Sequence, residues 1–164
     1  MARKMKFSNC FKEGSVVRTL DSTERFQAIK ELIAKSRVLK NNCELKKIEE
    51  AVLKRERLYT TGIGRGIAIA HGKLEDFSDM LILVGISEKG IDFATPDGKP
   101  VKILFLIVNS RQKTDEYLFT LSTLASIMRN QSFLDAILQE TDPYYIEKIL
   151  AKEFWAAFFE RFLN

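Results

Sequence analysis

The chain has 164 residues and a net charge of +4, which suits one domain of ordinary size. Hydrophobic residues make up 46% and charged residues 29%, a balance typical of globular domains rather than of disordered chains. One histidine and two isolated cysteines exclude a zinc site built from these ligands, and the mixing of basic with acidic residues argues against a nucleic-acid-binding face.

Nothing in the sequence directs the chain into a membrane or out of the cell. The basic N-terminus, MARKMKFSNCFKEG, lacks the apolar segment of a signal peptide, and no apolar run is long enough to span a bilayer. Cys10 and Cys43 form no CxxC pair and are interpreted as reduced thiols. We therefore expect a cytoplasmic protein with no metal, no cofactor and no nucleic acid or membrane insertion.

The first third of the chain predicts a strand and two helices. VVRTL (Val16–Leu20) reads as a short strand, and Asp21 or Ser22 then caps a helix that runs to about Lys35, with Glu24 at capping-box spacing from Asp21. A second helix is predicted over Asn42–Arg57. Apolar residues recur at helical spacing at Phe26, Ile29 and Ile33 in the first helix and at Leu45, Ile48 and Val52 in the second.

Three apolar segments in the middle of the chain predict buried strands. They are GIAIA, MLILVGIS (Met80–Ser87) and VKILFLIV (Val101–Val108). Unbroken apolar sequence in a strand indicates burial on both faces. TPDG (Thr95–Gly98) predicts a turn between the last two strands. The fold class is therefore α/β, a single domain with a mixed sheet and helices on both faces.

The last third of the chain predicts three helices. Thr114 is expected to cap the first, whose apolar stripe is Leu118, Leu121, Ala125 and Met128. Ser132 opens a shorter helix. Asp142-Pro143 opens the last helix, at about residues 142–163, because proline is favoured at the first helical position.

The last helix carries a wide apolar face. We expect this face to pack on the domain's own core; a homodimer or partner surface is the alternative, and binding to a membrane surface comes third. The residues of the face are Phe154, Trp155, Phe158, Phe159 and Phe162.

His71, the only histidine, follows an apolar strand and a glycine-rich turn. A buried structural imidazole is one interpretation. Glycines allow close approach of the backbone, their N–H groups can cradle an anion, and Thr60, Thr61, Arg65 and Lys73 supply polar or basic groups nearby. A neutral imidazole can attack phosphorus directly, so a phosphohistidine is the sharper hypothesis.

The segment KRERLYTTGIGRGIAIAHGK resembles the active-site segment of the IIA domains of the bacterial phosphoenolpyruvate-dependent sugar phosphotransferase system, in their mannitol/fructose and nitrogen-regulatory subclass. That family has an Arg-Glu pair, a threonine-and-glycine turn and a G-I-A-[IV]-P-H signature. GIDFATPDGKPVKILFLIV resembles the family's hairpin and strand, and the similarity covers roughly residues 10–150. The resemblance implies a mannitol-specific-IIA-like fold over residues 11–164, preceded by a tail at residues 1–10.

The resemblance also assigns roles to individual residues. His71 aligns with the histidine that is phosphorylated, on Nε2 in the family, and Arg55 with the arginine that faces the phosphoryl group. Thr60, Thr61, Gly62, Gly64 and Gly72 are candidates for a loop around that group. Ala70 replaces the family's proline before the histidine.

Tyr117 stands where the family usually has a second histidine. A tyrosine hydroxyl can donate a hydrogen bond to a phosphoryl oxygen or to the imidazole, but it cannot carry a positive charge at neutral pH. A partly buried helix residue without a chemical role is the other interpretation.

Three functions follow from the sequence. The first is a phosphohistidine carrier that accepts a phosphoryl group from HPr and passes it to a IIB domain or uses it as a regulatory signal, with the nitrogen-regulatory type favoured. The second is a binding regulator that acts by docking to a partner protein. Its docking is either sensitive to phosphorylation or independent of it, because the protein is no longer phosphorylated. The third is a structural protein whose histidine has no chemical role.

Overall fold

The computed structural model describes residues 10–77 and 80–163. The predicted tail at residues 1–10 lies outside the described residues except for Cys10, which is a buried free cysteine. The side chain of Phe162 also lies outside them. In the described part of the chain, no helix combines the length and the apolar character needed to cross a bilayer.

Five strands form one mixed sheet in the order β1-β4-β5-β3-β2. Strand β1 is parallel to β4 and β3 to β5, whereas β4 and β5 are antiparallel, as are β2 and β3. The predicted mixed sheet is thus confirmed. Its strands are β1 (Val16–Val17), β2 (Gly62–Gly64), β3 (Ile67–Leu74), β4 (Leu81–Ile91) and β5 (Val101–Ser110).

Helices cover both faces of the sheet, as the unbroken apolar strands predicted. One core cluster lies between the sheet and the first two helices, and the other lies beneath the last three. The TPDG turn also forms, since Gly98 has a φ of 69° and its N–H donates to the Thr95 carbonyl. The helices are α1 (Arg25–Lys35), α2 (Leu45–Leu58), α3 (Thr114–Ile127), α4 (Gln131–Gln139) and α5 (Pro143–Leu163), with short 3-10 helices at Arg37–Leu39 and Arg111–Lys113.

The predicted start of the first helix is wrong. Glu24 itself is the N-cap of α1, because its carboxylate accepts hydrogen bonds from the Phe26 and Gln27 backbone N–H groups. The backbone N–H groups of Asp21 and Ser22 donate instead to the carboxylate of Glu31, about two helical turns further along α1.

The first strand and the second helix are shorter than predicted. Strand β1 ends at Val17, and the side chain of the next residue, Arg18, donates to the carbonyls of Leu138 and Glu140. Helix α2 begins at Leu45 rather than Asn42, whose side-chain oxygen accepts from the Glu44 N–H in a turn.

The predicted stripe of α3 is correct only in part. Met128 is buried and Leu121 packs against the core, but Leu118 is 53% exposed. The buried residues within α3 are Tyr117, Thr120, Thr123, Leu124 and Ile127. Two buried threonines hide this face from a search for apolar periodicity. Thr114 lies inside α3 and does not cap it. Asn130, not Ser132, marks the start of α4, since its side chain accepts from the Phe133 N–H.

Helix α5 begins at Pro143 as predicted, with the Asp142 carboxylate accepting from the Tyr144 N–H. Phe154 and Phe158 are buried in the cluster beneath α3, which is the expected packing on the protein's own core. The alternative, a homodimer through this helix, has no support, although Phe159 on the same face is 54% exposed.

Candidate active site

His71 is the fifth residue of β3, in the interior of the strand rather than at its end. The sequence placed it at a strand end because Gly72 and Lys73 interrupt the apolar run. The strand continues because β3 stays paired with β5 as far as Leu74 and Ser110. The imidazole therefore projects from a backbone that is fixed on both sides, which restricts its orientation.

Gly72 allows helix α2 to cross very close to β3. A Cβ atom at this position would lie 2.8 Å from Val52 Cγ2 and 3.0 Å from the Val52 backbone nitrogen. No such contact is tolerated, so only glycine permits this approach. The approach brings the last turns of α2, with Lys54 and Arg55, to the wall of a cleft that His71 and Gly72 also line.

The two ring nitrogens of His71 have different environments. Nδ1 is buried and makes no hydrogen bond of regular geometry with any described residue. The ring packs at a tilt against Tyr117, with 5.0 Å between ring centroids. Since the imidazole lines the cleft and Nδ1 is buried, Nε2 is the nitrogen available to a reactant.

The surroundings hold this imidazole neutral. Burial, followed by the positive charges of Arg55 and Lys73, lowers the pKa of His71 from 6.5 to about 4. A polar contact from the Ile69 backbone acts in the opposite direction and is outweighed. At neutral pH the ring is therefore a free base whose Nε2 lone pair can act as a nucleophile.

Four cationic side chains line the same cleft, which has a volume of about 510 Å³. We call Lys54, Arg55, Lys73 and Arg111 the cationic cleft. Of these, the sequence indicated Arg55 and Lys73 and missed Lys54 and Arg111. Arg111 follows β5, so only the β3–β5 pairing reveals that it lines the same cleft as His71. Lys54 directly precedes Arg55 in α2, and nothing in the sequence distinguishes a lysine at this position from an ordinary exposed charge on a helix.

Arg55 is held by its own helix end. Its Nη1 donates at 2.9 Å to the carbonyl of Tyr59, the residue that follows α2. A guanidinium has five N–H donors, so this bond leaves others available for an oxyanion.

The polar groups of the threonine-and-glycine turn at residues 60–64 make hydrogen bonds within the protein and do not face the cleft. Thr60 donates to the Phe93 carbonyl, and Thr61 donates to the buried Glu56 carboxylate at 2.5 Å. Glu56 also accepts from the Thr61 N–H and pairs with Arg25. Gly62 and Gly64 form β2, which pairs with the start of β3.

These four turn residues do not line the cleft in the described part of the chain, whereas Gly72 does. The structure therefore brings together His71, Arg55, Tyr117 and Gly72. The hydroxyl groups of Thr60 and Thr61 instead stabilise the turn through hydrogen bonds, and Gly62 and Gly64 pair with β3.

Tyr117 contacts His71 through its ring and not through its hydroxyl. No hydrogen bond joins the two residues, and Lys73 Nζ lies 5.2 Å from the centre of the tyrosine ring. Burial raises the pKa of Tyr117, with a smaller opposing effect of Arg55, so the hydroxyl stays protonated. The tyrosine thus packs the imidazole in place and holds Lys73 beside it.

The arrangement suits attack on an anionic electrophile. A neutral, oriented imidazole faces a cleft whose positive charges would attract and stabilise a phosphoryl group. Within the described residues, no group of three or more His, Cys, Asp or Glu side chains is placed to hold a metal ion.

Known proteins are similar to this chain in sequence and in fold. A nitrogen regulatory protein of Bradyrhizobium diazoefficiens is 31% identical over 137 residues, which cover 84% of this chain and 89% of the relative. The fructose-specific EIIABC component of Bacillus subtilis is 27% identical over 135 residues, 82% of this chain but 21% of that longer protein. The nitrogen regulatory protein IIA-Ntr of Neisseria meningitidis has a similar structure, with a TM-score of 0.75, 23% identity and coverage of 84% and 93% of the two chains.

The last similarity establishes the fold, and the sequence establishes the family. The family described as Phosphoenolpyruvate-dependent sugar phosphotransferase system, EIIA 2, matches residues 9–153, nearly the whole of the described structure. The chain therefore belongs to the EIIA 2 family of the phosphoenolpyruvate-dependent sugar phosphotransferase system.

Proposed function

We propose that this protein is a cytoplasmic phosphoryl carrier in which Nε2 of His71 accepts the phosphoryl group of phosphorylated HPr. The observation that carries the proposal is a neutral imidazole, buried at Nδ1, that opens through Nε2 onto a cleft lined by four cations. Family membership supports phosphoryl transfer in general.

The transfer needs little covalent chemistry from the protein. The Nε2 lone pair attacks phosphorus, the bond from phosphorus to the donor nitrogen breaks, and the electron pair of that bond returns to the donor imidazole. Charge spreads over the three equatorial phosphoryl oxygens in the transition state. Arg55 and Lys73 act on those oxygens, because both already act electrostatically on the His71 ring.

The same two cations also suit onward transfer. Their positive charges disfavour the protonated, positively charged form of the imidazole. The ring is therefore restored as a neutral base once the phosphoryl group leaves. The acceptor would be a IIB domain or, in the nitrogen-regulatory type that we favour, the phosphorylation state would signal to a regulatory protein. The nitrogen regulatory protein of Bradyrhizobium diazoefficiens, which this chain covers almost entirely, supports that preference.

A second function is favoured by Tyr117. A buried aromatic ring replaces the family's second histidine and removes a group that could become charged beside the phosphoryl group. A protein with this substitution could act by docking to a regulatory partner, with phosphorylation as a switch or with none at all.

Labelling experiments distinguish the two functions. Incubation with phosphoenolpyruvate, enzyme I and HPr should add one acid-labile, base-stable phosphoryl group to the wild type and none to His71→Ala. If the wild type stays unmodified under conditions that label an ordinary IIA domain, the phosphoryl-carrier function is wrong and the docking-regulator function remains.

A further inference from the structure

The connection between β5 and α3 carries Arg111 to the wall of the cleft. One side-chain amide holds both ends of this connection, because Asn109 Nδ2 donates to the carbonyl of Ser110 at 3.1 Å and to that of Lys113 at 3.4 Å. The Thr114 hydroxyl donates to the Arg111 carbonyl itself at 3.2 Å. The two carbonyls that Asn109 holds flank Arg111 in the chain, so the amide fixes the backbone from which the guanidinium extends.

Packing alone does not explain an asparagine at position 109. The residue follows the apolar run of β5, lies beside Lys73 on the paired strand and is fully buried. Its Oδ1 makes no hydrogen bond with any described residue. A buried carbonyl oxygen without a partner lowers stability, whereas an apolar side chain of similar size would not. Residues that cost stability in this way are typical of functional sites, and the two hydrogen bonds from Nδ2 are what Asn109 contributes here.

The guanidinium of Arg111 is exposed and available to an anion. In the described part of the chain, no carboxylate forms an ion pair with it. Arg111 lines two neighbouring cavities, and no carboxylate among the described residues lines the one that contains His71. The carboxylates that line the adjoining cavity are Glu44, Glu50, Glu75 and Asp76. An anion bound to His71 would therefore compete with these carboxylates for the guanidinium.

Arg111 differs from the two cations that act on the imidazole. The charges that lower the pKa of His71 are those of Arg55 and Lys73. A phosphoryl group on Nε2 extends from the ring into the cleft and presents three oxygens there. A guanidinium can offer paired N–H donors to two oxygens of one such group. Arg111 is therefore suited to a charge that is present only when the phosphoryl group is.

We infer that Arg111 binds the phosphoryl group on His71 as a third cation, and that Asn109 is the residue that positions it. This inference rests on the proposed function and adds two residues to it. Because the turn is held at both ends, the guanidinium loses less conformational freedom when it binds the group. Loosening the turn would therefore weaken the stabilisation of the transferring group.

Phosphoramidate tests this inference, because it delivers a phosphoryl group without a protein surface. Nε2 of His71 bonds to phosphorus, the bond from phosphorus to the phosphoramidate nitrogen breaks, and its electron pair leaves with ammonia. Arg111→Gln should slow this labelling about tenfold. Arg37→Gln is the matched control and should leave the rate unchanged, since Arg37 is also an exposed first residue of a 3-10 helix but lies outside the cleft.

A double-mutant cycle separates positioning from a general loss of structure. Asn109→Ala should slow labelling about fivefold, and it should have no further effect in Arg111→Gln, because it acts through that guanidinium. Asn109→Ser keeps a hydroxyl that can donate to one carbonyl and should recover part of the rate. Asn130→Ala removes the side-chain cap of α4 and also lowers stability, but it should leave the rate unchanged because α4 does not line the cleft.

Two results would overturn the inference while the proposed function stands. An unchanged rate in Arg111→Gln would assign this guanidinium to the carboxylates of the adjoining cavity instead. Losses from Asn109→Ala and Arg111→Gln that multiply in the double variant would mean that Asn109 does not act through Arg111. If phosphoramidate labels a control IIA domain but not the wild type, the proposed function itself is wrong, and the inference fails with it.

Discussion

The protonation of His71 offers the sharpest physical prediction, because the chain has only one histidine. Its imidazole signals in a proton–carbon NMR titration are unambiguous. We expect a pKa of about 4, held down first by burial and then by Arg55 and Lys73. Lys73→Gln removes one charge and should raise the pKa by about half to one unit. Lys30→Gln, far from the cleft, should leave it unchanged.

The same shift predicts how stability depends on pH. Since the folded pKa lies below the unfolded value of 6.5, the unfolded chain takes up the proton first, and the folded state loses stability as the pH falls from about 6.5 to about 4. A full shift of this size corresponds to about 3 kcal/mol. Because water screens a ring that is only partly buried, we expect about 2 kcal/mol.

Urea denaturation of the wild type and of His71→Gln at pH 7 and pH 4 measures this difference. Contributions from carboxylates cancel between the two proteins, so the free-energy difference between them should change by about 2 kcal/mol across the interval. A titration midpoint near 6.5, or a difference that does not vary with pH, would refute the account of the site as a pocket that holds the imidazole neutral.

Three substitutions test the neighbours of His71. Arg55→Ala should slow phosphorylation by HPr about 100-fold in a rapid-mixing assay with little change in melting temperature; a large loss of stability at an unchanged rate would make Arg55 structural. Tyr117→Phe keeps the ring packing and should leave the rate within about threefold, since no hydrogen bond joins the hydroxyl to the imidazole, whereas a tenfold loss would assign the hydroxyl a role in transfer. Glu56→Ala leaves Thr61 and Arg25 without their buried partner and should cost about 3 kcal/mol in urea denaturation; a silent change would mean that the turn is held by other contacts.

The sequence was sufficient for the fold class, because unbroken apolar strands require cover on both faces. A specific signature around His71 indicated the residue for which we propose phosphoryl transfer. Spacing along the chain could not predict the composition of the cleft. Arg111 reaches it through the parallel pairing of β3 with β5, which joins residues far apart in sequence.

Competing side chains explain the errors in detail. Glu24 caps α1 with its own carboxylate, so a capping box that looked regular from Asp21 was not used. In α3, the buried Thr120 and Thr123 were invisible to a search for apolar residues, and Leu118 is exposed instead. Thr60 and Thr61 looked like anion ligands because free hydroxyls are common in such loops, but here both donate to protein carbonyl or carboxylate oxygens.

Phosphorus NMR of the protein after incubation with phosphoenolpyruvate, enzyme I and HPr tests the central claim most directly. With one histidine in the chain, a phosphohistidine signal of the protein purified away from enzyme I and HPr can come only from His71, and its chemical shift distinguishes the two ring nitrogens. We predict a single signal of an Nε2-phosphohistidine, since Nδ1 is buried. A signal from Nδ1-phosphohistidine, or no phosphohistidine at all while a control IIA domain is fully labelled, would contradict it.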